Sequence, residues 1–219
     1  MANPITDYPS LLAAVEEYVA RDDLQSYVPI FVQAAEGRFN TDLKVVDMHK
    51  STGALDLAAG SVALPADHID WVAVEWTPPA GSPQRPLMLR YVEADSPEFR
   101  TRHRPNGPPQ FYTLLAGKVR VMPAAAGKLD LTYYARIPPL TAASPTNWLI
   151  TKAPEVYLYG TLMEAALFQK DEEKSAQWLG LVKERLGAIF GQADTQKTAA
   201  RTARPNVAAA ETMAAQAVA

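Results

Sequence analysis

Side chains able to do chemistry are few in this chain and lie far apart along it. The three histidines, His49, His68 and His103, stand in separate segments, and none falls in the HxH or HExxH spacing that sets two imidazoles on one metal. Core or surface roles fit them better. With no cysteine there is no thiolate nucleophile, no soft metal ligand and no disulfide framework. The G-x-S-x-G elbow, the P-loop and the G-x-G-x-x-G turn do not occur, so acyl transfer, nucleotide hydrolysis and dinucleotide chemistry lose their usual sequence footholds. Carboxylates are plentiful, as at Asp22-Asp23 and Asp171-Glu172-Glu173. Both runs fall where helices begin, however, and there negative charge meets the positive end of the helix dipole. That reading is preferred to a general acid and base pair. No catalytic, metal-binding or cofactor-binding residue is expected.

Two clusters could bind rather than react. The basic run Arg100-Thr101-Arg102-His103-Arg104 precedes Pro105-Asn106-Gly107-Pro108-Pro109. Its Arg100, Arg102 and Arg104 are candidates for contacting a carboxylate-rich neighbour or the phosphates of DNA. The competing reading is a solvated loop. Trp148, Tyr157, Tyr159, Phe168 and Trp178 could be drawn as a binding cage, but their spacing is helical, and large rings at that spacing are core side chains.

The elements that must position these residues follow from periodicity. Leu11, Leu12, Val15, Tyr18 and Val19 recur at helical spacing behind Ser10, a residue suited to cap the first turn. A second helix opens near Pro29 and carries Phe31, Ala34, Ala35 and Phe39 toward Leu43. After Val46 the pattern changes to short β-rich segments, including 61–64, 71–76, 87–91, 110–115, 117–122 and 128–134. Ala116-Gly117 and Ala126-Gly127 suggest hairpin turns, and 96–101 a short helical excursion. Helical spacing returns at Pro154, with Val156, Tyr159, Leu162, Met163, Ala166 and Leu167 on one broad face. Asp171 can cap a last helix bearing Trp178, Leu181, Val182, Arg185 and Ile189.

The expected fold class is therefore α+β: a helical bundle formed from both ends of the chain, with an inserted antiparallel β domain and an extended C-terminal tail. The expected divisions are residues 1–46, 47–145, 146–191 and 192–219. From Gln192 the composition turns to Ala, Thr, Gln and Arg. Such a segment buries too little apolar area to offset an ordering cost of roughly 1 to 2 kcal/mol per residue, so a partner is expected to hold it. Lys197, Arg201, Arg204, Val207 and Met213 are its candidate docking residues.

Composition limits the partners. A formal charge of −3 from 21 basic and 24 acidic side chains does not make a polyphosphate-seeking surface. The first residues lack the basic and apolar regions of a signal peptide, and no window approaches the roughly 20 apolar residues of a membrane span. No membrane partner is expected.

The stretch from Tyr133 to Trp178 is the most distinctive in the chain. It holds Tyr133-Tyr134, Ile137-Pro138, Leu140, Thr146-Asn147-Trp148-Leu149, Pro154-Glu155, Tyr157-Leu158-Tyr159-Gly160, Leu162, Glu164-Ala165-Ala166, Asp171-Glu172-Glu173 and Trp178. In that order these blocks resemble the head-to-tail adaptor family of short-tailed, podovirus-type phages. Asp23-Leu24, Pro29, Ala35-Glu36, Asp42-Leu43 and Leu64-Pro65-Ala66-Asp67 extend the resemblance over about residues 8–190.

What the resemblance implies is a structural virion protein without enzymatic activity. It would form a dodecameric ring between the portal protein and the tail nozzle or tail-fibre proteins. Double-stranded DNA would pass through the ring on ejection. The helical bundles would pack side by side, the β domain would face the tail components, and the C-terminal extension would lie along the portal. The protein would reside at the head-tail interface of the virion, and in host cytoplasm before assembly. A near-neutral chain suits a channel in which DNA must slide. The alternatives are a head-completion or tail-side connector of a long-tailed phage, and a tail-borne polysaccharide-active enzyme with paired carboxylates.

Overall fold

The computed structural model describes residues 4–57, 59–100 and 107–202. The chain divides into two compact units, one from residues 1–36 and 139–219 and the other from residues 37–138.

The first unit is helical. Helix α1 (Tyr8–Val19) starts from Asp7, whose side chain accepts from the Ser10 N–H at 2.9 Å, while Ser10 Oγ accepts in return from the Asp7 N–H at 3.0 Å. Ser10 is thus the reciprocating residue of a capping box and not the cap itself. Asp7 is as good a cap, and Pro9, with no N–H to leave unpaired, fits the first turn. Leu11 and Val15 are fully buried. A 3₁₀ turn (Asp22–Tyr27) leads into α2 (Val28–Asp42), which buries Val28, Phe31, Val32 and Ala35 within this unit, and the division between units falls after Glu36.

Asn147 caps α4 (Trp148–Lys152), accepting from the Leu149 and Ile150 N–H groups at 3.1 and 3.0 Å. Helix α5 (Pro154–Phe168) is buried on nearly every side, including Tyr157, Gly160 and Thr161, which marks it as the centre of the unit. It packs on α1 and on α6 (Glu172–Thr202). Asp171 caps α6 as expected, accepting from the Lys174 N–H at 3.1 Å. The backbone of α6 stays helical past Gln192 to Thr202, where composition alone suggested extended chain. Ala, Gln, Lys and Arg in this stretch are strong helix formers, and an existing helix is extended more readily than a new one is started.

The second unit is a β-sandwich. One sheet has the order β1-β8-β3-β4, from β1 (His49–Asp56), β8 (Lys128–Ala135), β3 (His68–Thr77) and β4 (Leu87–Met88). The other has the order β2-β7-β6-β5, from β2 (Ser61–Ala63), β7 (Lys118–Met122), β6 (Phe111–Leu115) and β5 (Arg90–Tyr91). Val74, Trp76, Leu129, Leu131 and Tyr133 of the first sheet share one core with Tyr112, Val119 and Val121 of the second. The alternation along β7 and β8 separates this inner face from an outer one. A short helix, α3 (Pro97–Arg100), packs against β6.

The β region departs from the sequence reading in four places, the first being that the expected segment 87–91 is divided between β4 in one sheet and β5 in the other. Strand β1 is not among the expected segments, because it is an edge strand with a register shift between Ser51 and Ala54 and little apolar alternation. The β5–β6 pair is parallel, while every other pair in the two sheets is antiparallel. Ala116-Gly117, both at positive φ, makes the expected hairpin between β6 and β7, but Ala126-Gly127 does not make one. It carries the chain from β7 in one sheet to β8 in the other. Glycine is required there: a Cβ on Gly127, at φ 133°, would meet Thr77 O and lie 2.8 Å from Trp76 Nε1.

Candidate functional site

The sequence blocks that lie far apart in the chain meet in two polar networks, one in each unit. In the helical unit Tyr157 donates its hydroxyl to Glu36 Oε1 at 3.2 Å and accepts from Asn147 Nδ2 at 2.6 Å. The same Glu36 oxygen accepts from the Leu140 N–H at 2.8 Å. Glu36 is only 6% exposed, and burial raises the pKa of its carboxyl above the ordinary value even though the bonds from Leu140 and Tyr157 favour the charged form. Burial likewise pushes the Tyr157 hydroxyl far up, so it stays protonated and remains a donor. The network links α2, the 140 segment, the cap of α4 and the first turns of α5. Sequence reasoning named each of these residues in its own block and did not join them.

In the β unit Asp67 accepts from the Tyr133 hydroxyl at 2.8 Å through Oδ1 and from Lys50 Nζ at 2.6 Å through Oδ2. Burial works against its charge, but the bonds from Lys50 and Tyr133 outweigh it and hold the carboxyl below the usual range. Asp67 O also accepts from the Arg136 N–H at 2.7 Å. Asp70 is held low chiefly by Lys44. Through Lys50 and Tyr133, Asp67 ties the start of β3 to β1 and to β8.

The histidines do not converge. His49 stands edge-on to Tyr134 with ring centroids 4.7 Å apart, and His68 packs 4.1 Å from Trp71, where burial lowers its pKa. His103 lies outside the described residues. Among the described residues no group of His, Cys, Asp or Glu is placed to hold a metal ion, and no helix is long and apolar enough to cross a membrane.

The five rings that could have formed a cage are distributed through the helical unit. Tyr157 is buried in the network, while Trp178 stacks on Tyr159 at 5.6 Å and meets Tyr18 edge-on at 6.2 Å. Phe168, 53% exposed, packs 5.2 Å from Tyr27 and 5.4 Å from Phe31. Tyr27, Ile30, Leu167 and Phe168 are large apolar side chains that the unit leaves exposed.

Of the predicted binding residues, Arg100 ends α3, and Lys197 and Arg201 lie on the backbone of α6. Arg102, Arg104, Arg204, Val207 and Met213 lie outside the described residues. Three cations that the sequence reading did not single out, Arg90, Lys118 and Arg120, share the outer face of the β2-β7-β6-β5 sheet. Arg90 lies over the Phe111 ring, 5.2 Å from its centroid.

A family model described as SU10 adaptor protein matches residues 6–208 of the chain. None of the curated proteins matches it.

Proposed function

Because the chain belongs to the SU10 adaptor protein family, a family of phage head-to-tail adaptors, we propose that it forms a homo-oligomeric ring between the portal and the tail, with a channel for the DNA. The family is structural and not enzymatic, and its members work as virion components. The observation that carries the proposal is the extent of the match, residues 6–208, which spans the helical and the β unit alike.

Two physical features support it. A closed ring is built from heterologous contacts, so each subunit needs two unlike complementary faces in addition to those turned to its other partners. The turn region of the helical unit, with exposed Tyr27, Leu167 and Phe168 beside exposed Asp22, Glu172 and Glu173, and the cationic outer face of the β unit are unlike in composition and opposite in charge. On this reading the C-terminal segment docks on the portal through Lys197, Arg201, Arg204, Val207 and Met213. The ring is a dodecamer in a short-tailed particle.

The test is an image of the assembled particle. Density for this chain should form a ring under the portal with twelve-fold symmetry. A ring of another order would overturn the dodecamer. Density on the tail fibres, or none at the portal, would overturn the adaptor position.

A further inference from the structure

The outer face of the β2-β7-β6-β5 sheet is built in three rows by the strand register: Ala63, Lys118 and Leu115; Ser61, Arg120 and Thr113; Met122, Phe111 and Arg90; Thr113 itself is fully buried, so the accessible part of the face lies on β7 and at the edges beside it. None of these residues is acidic. Lys118 and Arg120 are exposed and have no ion-pair partner among the described residues. Beside them an open depression of 250 Å³ is lined by Ser61, Leu115, Ala116, Lys118 and Arg120, and Leu115 is 42% exposed. Helix α3, which opens into the basic run at Arg100, packs on β6 of the same sheet. Its own acid, Glu98, is exposed and in no ion pair among the described residues. The face therefore combines uncompensated positive charge with an accessible apolar patch.

The chain carries a surface of the opposite kind. Residues 1–36 and 139–219 hold fourteen acidic and nine basic side chains, whereas 37–138 hold ten and twelve. Within the helical unit, Arg21 reaches Gln169 at 3.3 Å and Tyr27 packs on Phe168, which brings the 3₁₀ turn and the α5–α6 turn to one place. Arg21 and Lys174 are taken up by Asp23 and Asp171. That leaves the exposed Asp22, Glu172 and Glu173 opposed by Lys170, next to the exposed Tyr27, Leu167 and Phe168.

We propose that the outer face of this sheet, through Arg90, Lys118 and Arg120, receives the acidic and aromatic turn region of the helical unit of a second copy, at Asp22, Glu172 and Glu173. The contact is heterologous, as ring closure requires, and the inference rests on the ring reading above. Charge pairs of this kind choose the partner and the register, while the apolar side chains beside them supply burial.

The experiment measures assembly of the full chain, alone and on portal rings, by native mass spectrometry and sedimentation. The sheet-face variant R90E/K118E/R120E and the helical variant D22K/E172K/E173K should each weaken copy-to-copy association about tenfold or more. Mixing the two reversed variants should restore mixed assemblies, an outcome that misfolded chains cannot give. The neutral variant R90Q/K118Q/R120Q should fall between wild type and reversal. Normal assembly of the sheet-face variant would overturn the proposal while leaving the ring intact. So would normal assembly accompanied by loss of duplex DNA binding, which would assign the face to nucleic acid. If wild type forms no ring even on the portal, the functional reading itself fails, and this contact with it.

Discussion

Tyr157 on α5 donates its hydroxyl to Glu36 on α2 at 3.2 Å, across 121 positions of sequence. A buried carboxylate is costly unless donors surround it, and here they come from α5 and from the Leu140 N–H. Tyr157→Phe removes the donor to Glu36 and the acceptor of the Asn147 Nδ2 bond together. It should destabilise the protein by about 1 to 3 kcal/mol, read as a lower urea midpoint with an unchanged slope. An unchanged midpoint would mean that the network contributes nothing to the fold.

Glu36 also gives stability a pH dependence of unusual sign. Its folded pKa is raised from 4.5 by burial, so the folded state holds the proton more tightly than the unfolded chain. The contribution is fully present below pH 4.5 and is lost as pH rises through the raised folded value. Asp67 and Asp70, both held low, act the other way, and only as pH falls through and below their ordinary 3.8. Glu36→Gln should therefore flatten the difference in unfolding midpoint between pH 4.5 and neutrality. If wild type and variant show parallel profiles over that range, Glu36 is not the source.

Gly127→Ala tests the corner between the two sheets. The added methyl would press on Thr77 O and on Trp76 Nε1, the atom that donates to Ala126 O at 3.1 Å. A loss of about 2 kcal/mol or more is expected in thermal unfolding followed by tryptophan fluorescence. A melting temperature equal to wild type would show that this corner relaxes freely.

Removal of residues 196–219 separates folding from docking. Ser175, Val182 and Leu186, buried residues of α6, lie well before the cut. The truncated chain should melt as wild type does and co-sediment less with portal rings. Full co-sedimentation would place the portal contact elsewhere.

Arg100, Arg102 and Arg104 changed together to Ala should affect assembly or DNA ejection more than melting temperature, as expected of side chains that contact a carboxylate-rich or phosphate-bearing partner. A drop of several degrees with normal assembly would make the run a structural one.

The sequence by itself determined the helices around Leu11, Phe31 and Tyr157, most of the strands, the Asp171 cap, and the order of blocks that marks the family. These are local matters: a period of 3.6 or 2, a capping side chain or a turn residue acts over a few neighbours and can be read one segment at a time. It did not determine that Ala126-Gly127 joins two sheets, that β5 runs parallel to β6, or that β1 is a strand, because pairing is chosen between segments by burial on a shared face. For the same reason Glu36, Leu140, Asn147 and Tyr157 could each be named but not joined. Arg90, Lys118 and Arg120 lie in separate segments of the sequence, unlike the contiguous arginines near 100; what places them on one face is strand register, and only the tertiary structure sets that.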